Sequence, residues 1–524
     1  MRRLRLLPLL AALLLAPAAL AQSDYGQTEF ANSGAAEAQT PFLRGLLMLH
    51  SFEYEDAREA FQEARRIDPD FAMAAWGEAL THNHPIWQEQ DAGAARAALA
   101  ELAETPEGRL AKAPTERERA YLRTLDVLFG EGSKEDRDFA YADALADLSA
   151  AYPDDLDAAA FYALSILGTA HEGRDFGIYM DAAAVAEEVF AANPEHPGAA
   201  HYLIHAYDDP IHAPLGLRPA RVYDDLAPAA SHALHMPSHI YFALGMWDEG
   251  AEMNERSYAA AAARAERRGE PLNGHGRHAL HWLHYAYLQQ GRYDDAAALI
   301  DRVDAMAATD ETQRFAHLPV SLRAHYVVET GGQRVAVESG TMDHHSSSVL
   351  VGFTEGLAAY YRGDGVALQH ALATVQAALA AEDTANRRTD PLRILGLELE
   401  ALVALDNGDA DAARALLDEA TDLEDTMPID FGPPNPAKPS HELYGEVLLD
   451  LGEPADARYH FEETLARYPR RSRALLGLAR AAMQSGDEAT AAAVYAGLAD
   501  IWHDADADAL ALPEVQKHAA MDTP

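Results

Sequence analysis

At 524 residues the chain is too long for one compact core, so it forms several domains or an elongated repeat array, and the lack of strand-rich stretches favours the array. Its 84 acidic side chains outnumber 41 basic ones, a net charge of −43 that repels phosphate backbones and anionic lipid heads and argues against nucleic-acid or membrane-surface partners. With no cysteine, disulfides, thiolate ligands and a lipid-modified cysteine are excluded, and any metal must be held by histidine, carboxylate, methionine or backbone oxygen.

Residues 1–21 open with Arg2, Arg3 and Arg5, continue as an apolar run and end in small residues, Ala19 and Ala21. That pattern is a secretory signal peptide, which predicts an exported chain, periplasmic or secreted. Residues 22–38 are small and polar and read as a flexible segment. The first repeat follows, in FLRGLLMLHSFEYEDAREAFQEARRIDPD. Gly45, Ala57, Phe61, Ala64 and Pro69 fall on the spacing of a tetratricopeptide (TPR) unit, whose small residues let two helices approach and whose proline ends the second. Residues 39–135 are read as TPR-like hairpins of this kind. The predicted fold is therefore all-α, a TPR-like superhelix of about nine hairpins.

Residues 136–310 form a histidine-rich TPR region, with helices expected over Leu156–Ala170, Asp181–Ala192, Gly198–Tyr207 and Pro237–Leu244. Residues 208–230 carry Pro210, Pro214, Pro219 and Pro228 and read as an insertion, a short helix with long loops. Central hairpins follow over residues 311–427. Residues 428–440 form a proline-rich loop, expected as a solvent-exposed connector that could alternatively fold back over the groove. Residues 441–524 hold a C-terminal TPR pair and tail, with Gly445, Ala457, Phe461 and Pro469 in register.

The histidines carry the chemistry. His171, His205 and His239 stand at intervals of 34 residues, the length of one TPR unit, and His201 and His235 form a second row at the same interval. On the TPR frame, positions 2, 5, 9 and 12 of each first helix face the concave groove. His201 and His235 fall at position 5, His171, His205 and His239 at position 9, and Asp208 at position 12. His278 falls at position 2 of the next inner helix, and His84 ends an earlier one near the cavity mouth. Neighbouring inner helices pack about 10 Å apart, so these side chains can converge. The reading groups His205, His239 and His278, with His201, His235 and Asp208 joined to them or supporting them.

Imidazole at this density suits Zn, Cu, Fe, Ni or Mn. Any one of these histidines is more simply a core residue satisfied by hydrogen bonds, but six on one face favour a metal. The zinc-protease motif HExxH is absent because position 202 is tyrosine. If the site is catalytic, Asp208, Asp209, Glu172 and Glu78 are candidate bases, with Asp208 first, and Tyr202 and Tyr241 are candidate proton donors, though aromatic packing is the simpler role for both. His50 is read as packing. Asp343-His344-His345 is read as a solvated loop.

The motifs WGEALTHNHPIW, LGTAHEGRDF, HPGAAHYLIHAYDDPIHAPLGLR, HALHMPSHIYFALGMW, HALHWLHYAYLQQGR and FGPPNPAKPSHELYGE resemble those of a group of histidine-rich, secreted bacterial TPR proteins. The resemblance spans most of the chain and implies the TPR fold; it brings no activity. His84, His171, His201, His205, Asp208, His212, His235, His239 and His278 lie in these motifs, whereas His281 and His284 depart from the pattern. Three functions stay open: a metal centre that binds or converts a small molecule or peptide, a metal-independent module that docks proteins or peptides, and a metal-storage or delivery protein. If the first includes catalysis, the chain is a metal-dependent hydrolase or oxidoreductase.

Overall fold

The computed structural model describes residues 25–310, 317–332, 345–381, 389–429, 431–509 and 511–520. The expected signal peptide, Asp343 and His344 lie outside them. Successive helices pair as antiparallel hairpins, starting with Gln39–His50 against Tyr54–Ile67 and continuing to Ser440–Asp450 against Pro454–Arg467 and Ser472–Gln484 against Glu488–Ile501. The fold is the expected all-α, TPR-like superhelix. Among the described residues the only sheet is a two-residue ribbon, Asn83–His84 with Glu89–Gln90. None of the described helices is long and apolar enough to cross a membrane.

One packing device sets the repeat. Phe61 is fully buried between Gly45 of its own hairpin and Gly77 of the next; a Cβ at those glycines would lie 3.0 and 2.4 Å from its ring. Phe461 sits in the same way between Gly445 and Gly477, with clearances of 2.8 and 2.2 Å. Only glycine lets the ring fill the space between successive first helices, so the aromatic acts as the spacer between repeats.

Three expectations change. Residues 25–38 are not a free tail: Phe30 is buried against Phe42, Trp76 and Tyr121, because one aromatic ring outweighs the polar residues around it. The 208–230 stretch is not mostly loop, since it holds a regular helix, Ala213–Leu226, the partner of Pro197–Tyr207. Pro214 lies in its first turn, where a missing N–H costs no helical bond, and Pro219, Ala220 and Tyr223 are buried against neighbours that hold the helix despite the second proline. The proline-rich loop folds inward rather than standing in solvent, with Ala437, Lys438 and Ser440 buried.

The array also closes on itself. Arg264, on the long helix Trp247–Arg268, binds Asp56 through Nε and Nη2 at 2.8 and 2.7 Å. Trp502 Nε1 donates to Gln289 O at 2.9 Å and Trp247 Nε1 to Arg470 O at 3.1 Å. N-terminal and C-terminal hairpins thus both pack on the middle of the chain, and the histidine-bearing helices lie enclosed between them.

Candidate metal centre

Four helices present the central imidazoles: Pro197–Tyr207, Ser231–His235, Pro237–Ala243 and Gly274–Gln289. Proline at position 237 breaks the bonding between the second and third helices without turning the chain, because its own N–H is not needed at a first helical position. His235 and His239 therefore keep helical spacing on one face, their rings edge to face with centroids 4.9 Å apart.

Each ring is held by its Nδ1. Asn254 Nδ2 donates to Gly250 O at 2.7 Å, which turns its Oδ1 toward His235; that oxygen accepts from His235 Nδ1 at 2.7 Å. His239 Nδ1 donates to Asp208 Oδ2 at 2.8 Å, and Asp208 in turn meets Arg174. With both Nδ1 atoms protonated, the neutral rings turn two Nε2 lone pairs on each other, 3.1 Å apart. Lone pairs at that separation repel unless a cation lies between them. Two nitrogens 3.1 Å apart and each about 2.1 Å from one ion subtend about 95° there, within the range of ordinary coordination angles. His278 completes the set, its ring 4.6 Å from that of His235, and the three ligand nitrogens lie within 4.8 Å of one another. Burial first, then the neighbouring His278, holds His235 well below its ordinary pKa; burial, then His239, does the same to His278, so both favour the neutral, ligating form.

A second group, His201, His205 and His232, lies beside the first, also with ligand atoms within 4.8 Å. The ring centroids of His201 lie 4.9 Å from His205 and 5.0 Å from His232. His201 Nδ1 donates to the carbonyl of His50 at 2.7 Å. The Nε2 atoms of all three are buried and have no hydrogen-bond partner among the described residues. Burial lowers His201 to about 3 and holds His205 and His232 well below 6.5. Phe52, held at φ +56°, packs its ring 4.3, 5.8 and 5.5 Å from those of His201, His205 and His232 and walls off this side of the site.

A third cluster, His50, Asp157 and His196, also has ligand atoms within 4.8 Å of one another but is held largely by hydrogen bonds. His50 Nε2 donates to Asp157 Oδ1 at 2.9 Å, its Nδ1 accepts from the Tyr202 hydroxyl at 2.9 Å, and Thr28 Oγ1 donates to Asp157 Oδ2 at 2.9 Å. His196 Nδ1 accepts from the Ala199 amide at 3.2 Å and caps its helix. These bonds hold the cluster, leaving His196 Nε2 without a hydrogen bond at 3.4 Å from Asp157 Oδ1, and tie the N-terminal hairpin to the site, since the His50 carbonyl orients His201.

The ladder drawn from the sequence is partly realised. His205 and His239 meet, with centroids 5.7 Å apart, but His171 does not join them, because its helix ends at Leu167 and leaves it in the following turn, 3.3 Å from Asp138. His84 also lies outside, on the short ribbon after a helix that ends at Leu80, stacked on Tyr54 at 4.0 Å. His239 belongs to two ligand-spaced sets, one with His235 and His278 and one with His205 and Asp208, while His205 also groups with His201 and His232. Asp208 stands behind His239 as an orienting carboxylate, engaged with Arg174 rather than free as a base. The Tyr202 hydroxyl is taken up by His50.

His232 escaped the sequence reading although its signal was present: it lies three residues before His235, at groove-facing position 2. Asn254 and Arg174, which orient the ligands or their carboxylate, carry no comparable signal. Phe431, from the proline-rich loop, lies 4.7 Å from the His239 ring, while Trp282 stacks on that ring at 4.5 Å. Gly432 makes this seat possible, since a Cβ there would fall 2.4 Å from the Trp282 ring. Trp87, 43% exposed, lies 5.7 Å from His232, and His275 and His278 are partly exposed.

No family model and no curated protein matches the chain. Among solved structures, a hetero-tetramer of Cut9 and Hcn1 from the APC/C is 14% identical, over 94% of this chain and 78% of that one, with a TM-score of 0.33. A Rap protein complexed with competence and sporulation factor is 14% identical over 74% and 98%, at 0.36. Yeast Tom70 is 13% identical over 93% and 95%, at 0.27. Scores this low carry no argument about the site, which rests on this chain's own geometry.

Proposed function

We propose that the chain is an exported helical-repeat protein whose enclosed groove holds a transition metal on His235, His239 and His278 and uses it to bind or convert a small molecule or peptide. The observation that carries this reading is the 3.1 Å approach of two Nε2 atoms whose Nδ1 partners are both committed elsewhere. Protonating one imidazole would also reconcile the pair, but burial and the surrounding histidines oppose a charged ring. Three imidazoles leave a position for an exogenous ligand, the pattern of catalytic or exchanging sites rather than of closed structural ones. With its carboxylate behind the ligands instead of among them, the set suits Zn, Cu, Fe or Ni better than the oxygen-preferring Mn. The leader read in residues 1–21 supports export to a compartment where such ions are supplied from outside the cell.

Elemental analysis of untagged protein tests the reading. At least one ion per chain is expected after metal-supplemented expression, lost from the first set in His239→Ala; fewer than about 0.2 ions per chain would sink it. A metal-independent docking function has one specific observation in its favour, a cavity of about 370 Å³ in the C-terminal half lined by Glu329, Tyr361, Glu446, Arg473 and Arg480. Its mixed charge suits a zwitterionic or peptidic ligand. Peptide binding that survives complete removal of metal would favour that reading.

A further inference from the structure

We infer that His201, His205 and His232 hold a second metal ion beside the first, so that six imidazoles form one two-ion centre. The inference rests on the reading of the first set as a metal site, and three further observations carry it. All three Nε2 atoms of the second group are buried without a partner, and its three residues bring one ligand atom each within 4.8 Å of the others, whereas His171, His281, His284 and His325, which also carry unpartnered buried ring nitrogens, belong to no such group among the described residues. Leaving three buried ring nitrogens unpaired costs about 1–3 kcal/mol each, which one shared ligand would offset. The ring of His201 is fixed from behind by the His50 carbonyl, the arrangement that sets which nitrogen faces a metal. The two groups also touch, with His205 5.7 Å from His239 and His232 6.2 Å from His235, centroid to centroid, so ions in both sets act on one space.

The ligand chemistry follows from charge. Two divalent ions held only by neutral imidazoles bring four positive charges into a buried site. Of the nearby carboxylates, Asp208 and Asp209 share one guanidinium, Arg174, Asp157 meets His50, and Glu53 accepts from the His232 amide at 3.1 Å, so together they offset only part of that charge. The centre therefore takes up an anionic exogenous ligand, hydroxide or another small oxygen-donor anion, at the positions the imidazoles leave open.

The test is zinc stoichiometry on the full chain, stripped with a chelator, reloaded with Zn²⁺ and separated from excess ion by gel filtration. Wild type is expected to retain two zinc ions, His232→Ala one, His278→Ala one, and the double variant none. One zinc in wild type, kept by His232→Ala and lost by His278→Ala, overturns the second site and leaves the first standing. No zinc in wild type overturns both. Loss of both ions from a His232→Ala chain that circular dichroism shows to be folded overturns the division into two independent sets. If that variant does not fold, His201→Gln is read in its place. X-ray absorption on zinc-loaded wild type gives a check without substitution: about three imidazoles per zinc are expected, and an oxygen-dominated shell refutes the assignment.

Discussion

Asp208 shows how much a residue outside the ligand set can decide. It accepts from His239 Nδ1 at 2.8 Å and pairs with Arg174, so the turn of one imidazole depends on a carboxylate behind it. Asp208→Asn keeps the size but lets an amide N–H face the ring and leaves the guanidinium without its closest counter-charge. Zinc affinity is expected to fall about 10- to 100-fold, measured by competition with a chromophoric chelator; unchanged affinity would reduce Asp208 to an ion-pair partner of Arg174. The pairing of His239 with a carboxylate on the preceding inner helix was legible in the sequence, because both fell on groove-facing positions. What was not legible was the occupant behind the carboxylate. Arg174 follows the turn that holds His171, and nothing in its spacing announces that it points inward.

At the level of elements, periodicity reported faithfully wherever helices ran their full length and failed where they stopped early. His205 and His239 sit within helices and met; His171 and His84 lie past helix ends at Leu167 and Leu80 and did not. The proline-rich loop shows a different limit. Its composition marked it as special, but its direction is set by buried charge at the far end, which no local pattern encodes. Lys438, fully buried, donates to Glu442 at 2.8 Å and lies 2.9 Å from Glu446. Arg471, also fully buried, joins Glu442 at 2.6 Å and Glu329 at 2.7 Å and donates to the Tyr285 hydroxyl at 2.6 Å. Loop, C-terminal hairpins and the helix bearing His278 are thereby pinned together. Lys438→Met leaves two carboxylates short of a counter-charge and is expected to cost about 3–5 kcal/mol in urea unfolding, with part recovered by adding Glu446→Gln. A loss below about 1 kcal/mol would show the network to be dispensable.

For the whole molecule, enclosing so many imidazoles makes stability depend on pH. His281, His284 and His325 lie outside both ligand sets; burial lowers His281 to about 4 and holds the other two well below 6.5. Neither ring nitrogen of His284 has a hydrogen-bond partner among the described residues, and Tyr326 is the ring beside it at 6.4 Å. The unfolded chain takes up protons below pH 6.5 that the folded chain refuses. Stability is therefore full above 6.5 and falls as pH drops toward 4, by about 1.4 kcal/mol per pH unit for each such histidine. In metal-free protein, urea midpoints between pH 7 and 5 are expected to follow this slope, and His284→Leu to reduce it by one proton's worth; an unchanged slope would place the acid sensitivity elsewhere. The superhelix itself was readable from 34-residue spacing, whereas its closure through Arg264 and Asp56 was not, since contacts some two hundred residues apart leave no period.

The seat of Phe431 over His239 also has a meaning in time. All six imidazoles, together with Asn254, Arg174 and Asp208, belong to the first 278 residues, and the ring that covers them is made more than 150 residues later. A growing chain thus completes its nitrogen donors while they are still uncovered. The last hairpins then draw the loop inward over His239, so if the donors hold ions as proposed, the order of synthesis sets a stage at which His239 is open before one at which it is covered.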